Sequence, residues 1–167
     1  MQVSKEAIKE IREKTGAGVM DCRKALDEAS GNMDKACEIL IQRGIALAEN
    51  KSNRAAEQGV IEAYIHSGEK IGVLIEINCE TDFVARTDQF KELAHDIALQ
   101  VAAMAPKYIS EDDVKESNGG DLNSECLLSQ PFIKDPTKTV RDIITETIAK
   151  IGENIKVRRF TRYELGY

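Results

Sequence analysis

The chain has no tryptophan, and aromatic residues make up only 5% of its 167 positions. With so few rings, each Phe and Tyr is worth asking about as a contact residue. Its two histidines, His66 and His95, stand apart from any cysteine or carboxylate at metal-ligand spacing, so no metal site is expected. The four cysteines, at 22, 37, 79 and 126, form no C-x-x-C pair and read as buried or surface thiols in a reducing compartment. No apolar run approaches the length that crosses a bilayer. The opening MQVSKEAIKE is too charged for a signal peptide and too acidic for a transit peptide. A cytoplasmic protein without membrane contact is the expectation. The net charge is −6. The one dense basic cluster, Lys156, Arg158, Arg159 and Arg162, lies in a strand-like segment and reads as a solvated strand face, not a nucleic-acid site.

Catalytic signatures are missing too. There is no G-x-x-x-x-G-K-[ST], so no phosphate loop. Gly16-Ala17-Gly18 begins like a dinucleotide fingerprint, but position 21 is Asp and no strand precedes it. G-x-S-x-G and H-E-x-x-H are absent, and the carboxylates single out no acid–base pair. A binding protein with no cofactor is expected before an enzyme.

What remains is globular: 42% apolar and 31% charged. Ten basic and nine acidic residues fall in 1–55, against thirteen and twenty in 56–167, which hints at two units. Ser4 can cap a helix over 5–14 with Ala7, Ile8 and Ile11 on one face. After the Gly16–Gly18 break, Val19, Cys22, Leu26 and Ala29 share a second helical face that stops near Gly31. Asn32 can cap a third helix with Ala36, Ile39 and Leu40, ended by Gly44. Residues 1–55 therefore predict a three-helix bundle plus a linker over 45–56.

From residue 59 the period changes to two. Val60, Glu62, Tyr64 and His66 alternate with Ile61, Ala63 and Ile65; Ile71, Val73, Ile75 and Ile77 share a face; Ser67-Gly68-Glu69 turns between them. His66 and His95 are expected at the surface. A helix over 88–104 carries Phe90, Leu93, Ala94, Ile97, Ala98, Val101 and Met104 in one stripe. Residues 107–136 lose periodicity and read as an exposed loop around Gly119-Gly120. A helix over 138–151 and a strand over 155–165 close the chain. The fold class is α+β: the bundle, then a core over 56–167 with one three-stranded antiparallel sheet and packed helices. Two helices cover one side of such a sheet, which leaves the other for a two-fold dimer.

One segment stands out, Asn78-Cys79-Glu80-Thr81-Asp82-Phe83-Val84, at a strand-to-helix junction. Residue chemistry alone favours an ordinary reading in which Thr81 caps a turn, Asp82 suits its positive end and Phe83 packs inward. A Phe on a loop beside a carboxylate serves equally as a wedge for a partner's pocket. Two other classes stay open: a ubiquitin-associated-like binding module with a dimerising core, and a thiol enzyme using Cys79 or Cys22.

Four segments resemble one family. TGAGVMDCRKAL at 15–26, NCETDFVAR at 78–86, QPFIKD at 130–135 and IGENIKVRRFTRYELG at 151–166 are similar to the signatures of bacterial and organellar elongation factor Ts. The resemblance implies a ubiquitin-associated-like bundle, an α+β core and a partner, elongation factor Tu carrying GDP. It implies that Asp82 and Phe83, with Thr81 and Val84, enter the GTPase domain between two helices, disturb its magnesium and phosphate sites and free GDP. It further implies that Arg12, Val19, Met20 and Arg23 touch the GTPase from the bundle, although the family often has Met and Lys where Val19 and Arg23 stand. Many members carry extra short helices before the Q-P-F segment, and longer members have two related core halves where this chain has one. Short members are thought to pair, so a homodimer is expected.

Overall fold

The computed structural model describes residues 3–114 and 121–166. The chain divides into two compact units, Met1–Asn53 with Thr145–Gly152, and Arg54–Ile144 with Glu153–Tyr167.

The first unit begins with α1, Lys5–Thr15, whose start is fixed by the Ser4 hydroxyl accepting from the Ala7 amide at 3.1 Å. Gly16, at φ 68°, ends it in the left-handed region. Helix α2, Val19–Glu28, buries Cys22, Ala25 and Leu26. Helix α3, Met33–Lys51, starts where Asn32 accepts from the Lys35 amide at 3.0 Å. Ile11, Cys22, Ala25, Leu26, Ala36 and Leu40 pack into one apolar cluster.

Two expectations about this unit change. Val19, the first helical residue after the Gly18 cap, is 48% exposed and outside the apolar cluster rather than part of the α2 core stripe. Gly44 does not end α3; it is buried inside it, and the helix runs on through much of the expected linker to Lys51. Gly44 marks close packing instead of a stop: a Cβ there would lie 3.2 Å from Cβ of Ala149, which belongs to the same unit.

In the second unit β1, Gln58–Ile65, and β2, Ile71–Cys79, form the expected hairpin, pairing from Gln58 with Cys79 to Ile65 with Gly72. Strand β5, Lys156–Glu164, adds antiparallel to β2, giving the order β1-β2-β5 with a bulge between Glu76 and Ile77. The fold class is thus α+β, with N-terminal helices followed by a three-stranded antiparallel sheet and packed helices. Gly59 is obligatory: its φ is +150° and a Cβ would stand 2.1 Å from the Ile77 carbonyl oxygen.

After β2 come the one-turn α4, Asp82–Ala85, and the long α5, Asp88–Met104, capped by Thr87 accepting from the Phe90 amide at 3.3 Å. The α5 stripe, Phe90, Leu93, Ala94, Ile97, Ala98 and Val101, is buried as its period requires, although Met104 at the helix end is not. The helix packs on β1 and β2, and Val73, Ile75 and Ile77 are buried. The opposite face, with Ile61, Ile65, Leu74 and Tyr163, is exposed. His95 is exposed, hydrogen-bonded to Glu62 at 3.0 Å, and His66 is exposed beside the hairpin turn.

Residues 107–136 are not simply an exposed loop. Short α6, Leu122–Glu125, and the hairpin β3, Pro131–Phe132, with β4, Asp135–Thr139, lie there, and Cys126, Leu127, Gln130 and Phe132 are buried. Polar side chains do the work that periodicity would do in longer elements. Buried Gln100 on α5 donates to the Gln130 side chain and the Pro131 carbonyl, both at 3.1 Å, and accepts from the Ile133 amide at 2.8 Å. The expectation for Gly119-Gly120 concerns residues outside the described ones. Helix α7, Val140–Ile151, precedes β5, and its later residues belong to the first unit.

Candidate functional site

The β2–α5 junction is built from the residue types that end a strand and start a helix. At the end of β2, Cys79 is fully buried and its thiol donates to the Thr81 carbonyl at 3.1 Å. Thr81 stays extended, at φ −125° and ψ 154°, and its Oγ1 accepts from the Val84 amide at 3.4 Å. Asp82 opens α4, where its charge suits the amide end of the turn. Its carboxylate pairs with Arg86 at 2.7 Å, an exposed contact of small energetic weight.

Of the four residues in this turn, Ala85 is buried, and Asp82 and Val84 are partly covered. Phe83 is 77% exposed, the highest value among the large apolar side chains of the described residues. The ordinary reading therefore holds for Thr81 and Asp82 and fails for Phe83. The reason lies in helical geometry: residues 83 and 85 point to opposite sides of one short turn, and Ala85 takes the inward place.

A second set of side chains holds the turn from a distance in sequence. The Glu153 carboxylate accepts from the Glu80 amide at 3.1 Å and the Thr81 amide at 3.0 Å through Oε2. Its Oε1 accepts from the Thr81 hydroxyl at 2.6 Å. The Glu80 carboxylate accepts from the Asn154 amide at 2.7 Å and lies 3.5 Å from the Arg54 guanidinium. Asn154 is buried, and its side-chain amide donates to the Arg54 carbonyl at 2.8 Å. None of these supports was singled out from the sequence. Glu153 lies 72 residues from Thr81, and no local spacing connects them.

On the first unit Arg12, Val19, Met20 and Arg23 are all exposed, Met20 at 60%. Val19, Met20 and Arg23 lie within the first turns of α2, so one helix end presents two apolar side chains and a cation, while Arg12 stands on α1. Arg23 also lies 3.9 Å from Asp27, a distance that leaves it free to turn outward.

The thiols of Cys79, Cys22 and Cys126 lack the environment of a nucleophile. Burial, and then the nearby Glu153 carboxylate, push the Cys79 thiol up to about 11. Burial also raises Cys22 and Cys126. A reactive cysteine needs the opposite shift. Among the described residues no group of three His, Cys, Asp or Glu could hold a metal ion. No helix among them is long and apolar enough to cross a membrane. The three arginines of β5 are partnered within the sheet: Arg159 meets Glu76 at 2.7 Å, Arg158 meets it at 3.7 Å, and Arg162 meets Glu164 at 2.7 Å.

Comparison with known proteins places this junction in context. A sequence model of the family described as elongation factor TS matches residues 2–118. The chain is 50% identical to the elongation factor Ts of Carboxydothermus hydrogenoformans, over 98% of this chain and 89% of that protein. It is 48% identical to those of Thermoanaerobacter sp. strain X514, over 98% and 95%, and of Thermotoga maritima, over 99% and 98%. The first of these alignments runs over 194 positions, longer than the 167 residues here, so that relative carries residues without a counterpart in this chain. With half its residues identical across nearly its whole length, the chain belongs to the elongation factor Ts family of translation elongation factors.

Proposed function

We propose that this chain is a guanine nucleotide exchange factor that acts on elongation factor Tu bound to GDP. The observation that carries the reading is Phe83, an apolar ring 77% exposed beside the Asp82 carboxylate at the head of a capped turn. Leaving such a ring in water forgoes roughly 1.5–3 kcal/mol of burial. A partner pocket recovers that free energy. Asp82 and Phe83, flanked by Thr81 and Val84, enter the GTPase domain between two helices and disturb its magnesium site and phosphate loop. GDP then leaves and GTP can bind. Arg12, Val19, Met20 and Arg23 add a second contact from the bundle, so residues 1–55 contribute attachment and the core over 56–167 contributes the wedge.

The mechanism is linkage. A factor that binds the nucleotide-free GTPase more tightly than the GDP-bound form must weaken GDP binding by the same factor. No step makes or breaks a covalent bond in this chain, which acts as a binding protein in the cytoplasm, not as an enzyme, and uses no cofactor, nucleic acid or membrane. The exposed sheet face with Ile61, Ile65, Leu74 and Tyr163 is the self-complementary surface of a homodimer.

Release of a fluorescent GDP from elongation factor Tu, with and without this chain, tests the reading. Acceleration at micromolar concentrations of the chain is expected. An unchanged release rate overturns it.

A further inference from the structure

We propose that Glu153 is the positioning residue of the wedge: its carboxylate, bound to the 80–81 backbone and the Thr81 hydroxyl, fixes the direction in which Phe83 is presented. The inference rests on the exchange reading above and goes beyond the motif that carries it, since Glu153 is remote from the junction in sequence.

Helix α4 has four residues, Asp82–Ala85. A single turn cannot maintain itself, because nucleation fixes several dihedral angles for one hydrogen bond. Nor does the core hold Phe83, whose side chain is largely in solvent. Its orientation must come from the residues that enter the turn. Thr81 is the cap, and its side chain is held by a donor–acceptor chain: Oγ1 accepts from Val84 while its proton goes to Glu153 at 2.6 Å. Glu153 also takes the two consecutive amides of Glu80 and Thr81 on one oxygen. Three donors on one carboxylate form a charge-assisted grip on the two residues just before Asp82.

The grip is reciprocal. Glu80 returns a carboxylate to the Asn154 amide, so each segment holds the other's backbone. Asn154 is buried and also donates to the Arg54 carbonyl, so the receiving side is itself fixed. Asp82 lies outside this network, in contact with Arg86, and stays available to a partner. Glu153 therefore sets direction while Phe83 makes the contact. Losing the grip leaves Phe83 present but searching over several orientations, an ordering cost that falls on the step in which the ring enters its pocket and not on attachment through the bundle.

The test is a double-mutant cycle in the full chain, read by release of fluorescent GDP from elongation factor Tu. Glu153→Ala should lower the maximal release rate by about tenfold to a hundredfold, as expected for loss of hydrogen bonds to a charged group. The concentration giving half-maximal rate should change by less than about threefold, because the bundle contact remains. Glu153→Gln should recover most of the rate: its carbonyl can accept both amides and its amino group can donate to Thr81 Oγ1. In a Phe83→Ala background Glu153→Ala should add nothing further.

A Glu153→Ala protein with the wild-type maximal rate overturns the proposal. So does a further loss of rate in the Phe83→Ala background, which would mark Glu153 as merely structural. Should Glu153→Ala fail to fold, Thr81→Val, which removes the hydroxyl that donates to Glu153, carries the test: a loss of rate that the Phe83→Ala background does not deepen is the expected result, and a wild-type rate overturns the proposal. Amide hydrogen exchange at Glu80 and Thr81 separates the two readings. If the wild-type chain does not accelerate release the exchange reading fails, and if Phe83→Ala releases GDP as fast as wild type the wedge fails, while faster amide exchange in Glu153→Ala still reports the grip. Unchanged amide exchange there refutes the grip whatever the activity.

Discussion

Replacing Phe83 with alanine separates recognition from folding, because the two effects have different sizes. Full burial of a Phe side chain contributes about 1.5–3 kcal/mol. At 77% exposure only about a quarter of that is at stake in the fold, so the loss of stability should stay below about 1 kcal/mol. Alanine also has the better helix propensity, which offsets part of the loss within α4. In the complex, a ring that fills a desolvated pocket is worth about 2–4 kcal/mol on truncation. That corresponds to roughly thirtyfold to several hundredfold in GDP release. The measurements are stopped-flow release of a fluorescent GDP and urea unfolding of the same preparation. A large drop in unfolding midpoint together with lost exchange would mean that Phe83 supports the core. Wild-type exchange by a well-folded variant would mean that the partner never touches the ring. Either result refutes the wedge.

Three further outcomes follow from particular contacts. Leu74→Glu or Tyr163→Glu should convert a dimer to a monomer in light scattering, and a wild-type chain that is already monomeric at micromolar concentration would remove this sheet face as a dimer contact. Gly59→Ala should destabilise the core by roughly 1–3 kcal/mol in urea, since the new Cβ meets the Ile77 carbonyl at 2.1 Å and the φ is +150°. Gly31→Ala, with a positive φ but nothing near its Cβ, should cost less, and equal losses would refute the steric account. The Cys79 thiol is held at about 11, above its ordinary 9.0, so the unfolded chain gives up that proton first. The stability it contributes is complete below pH 9.0 and declines as pH rises to about 11. Cys79→Ala should flatten that part of the alkaline loss, and an unchanged slope would contradict the burial of the thiol.

How much of this was legible in the sequence depends on how local the determining physics is. The caps Ser4 and Asn32, the β1–β2 hairpin and the α5 stripe rest on neighbours within a few residues, and the sequence shows them directly. Gly44 misleads because glycine can mark either a stop or a close approach, and only Ala149, about a hundred residues on, decides between them. Residues 121–139 were hidden for a similar reason. Their elements are too short to show a period, and buried Gln100 organises them through hydrogen bonds to residues some thirty positions away. Phe83 was half legible. The sequence placed it at a junction with a cap and a carboxylate, but its direction depends on which of 83 and 85 faces the sheet. The support from Glu153 could not be read at all, since a carboxylate after a helix is compatible with many partners.

Exposure and rigidity are usually opposed, and the proposed exchange role needs both in one residue. A ligand with equal affinity for two states shifts nothing, however tightly it binds. Contacts that are the same in the GDP-bound and nucleotide-free GTPase can therefore tether the factor but cannot expel GDP. In the proposed complex Met20 would suit the tethering role, since an unbranched, flexible side chain adapts to a surface without selecting one geometry. The coupling contact has to be selective, which requires a side chain that reaches its pocket in one arrangement and not in the other. A flexible Phe83 would adapt to both and lose that discrimination. In the proposed role, holding the turn by Thr81, Glu80 and Glu153 would meet the ordering cost during folding of the chain and leave the ring's burial free energy available to distinguish the two states. The polar network beneath the turn and the apolar ring above it are thus two parts of one requirement: a hydrophobic residue kept in water, in a fixed direction, by hydrogen bonds that it does not itself make.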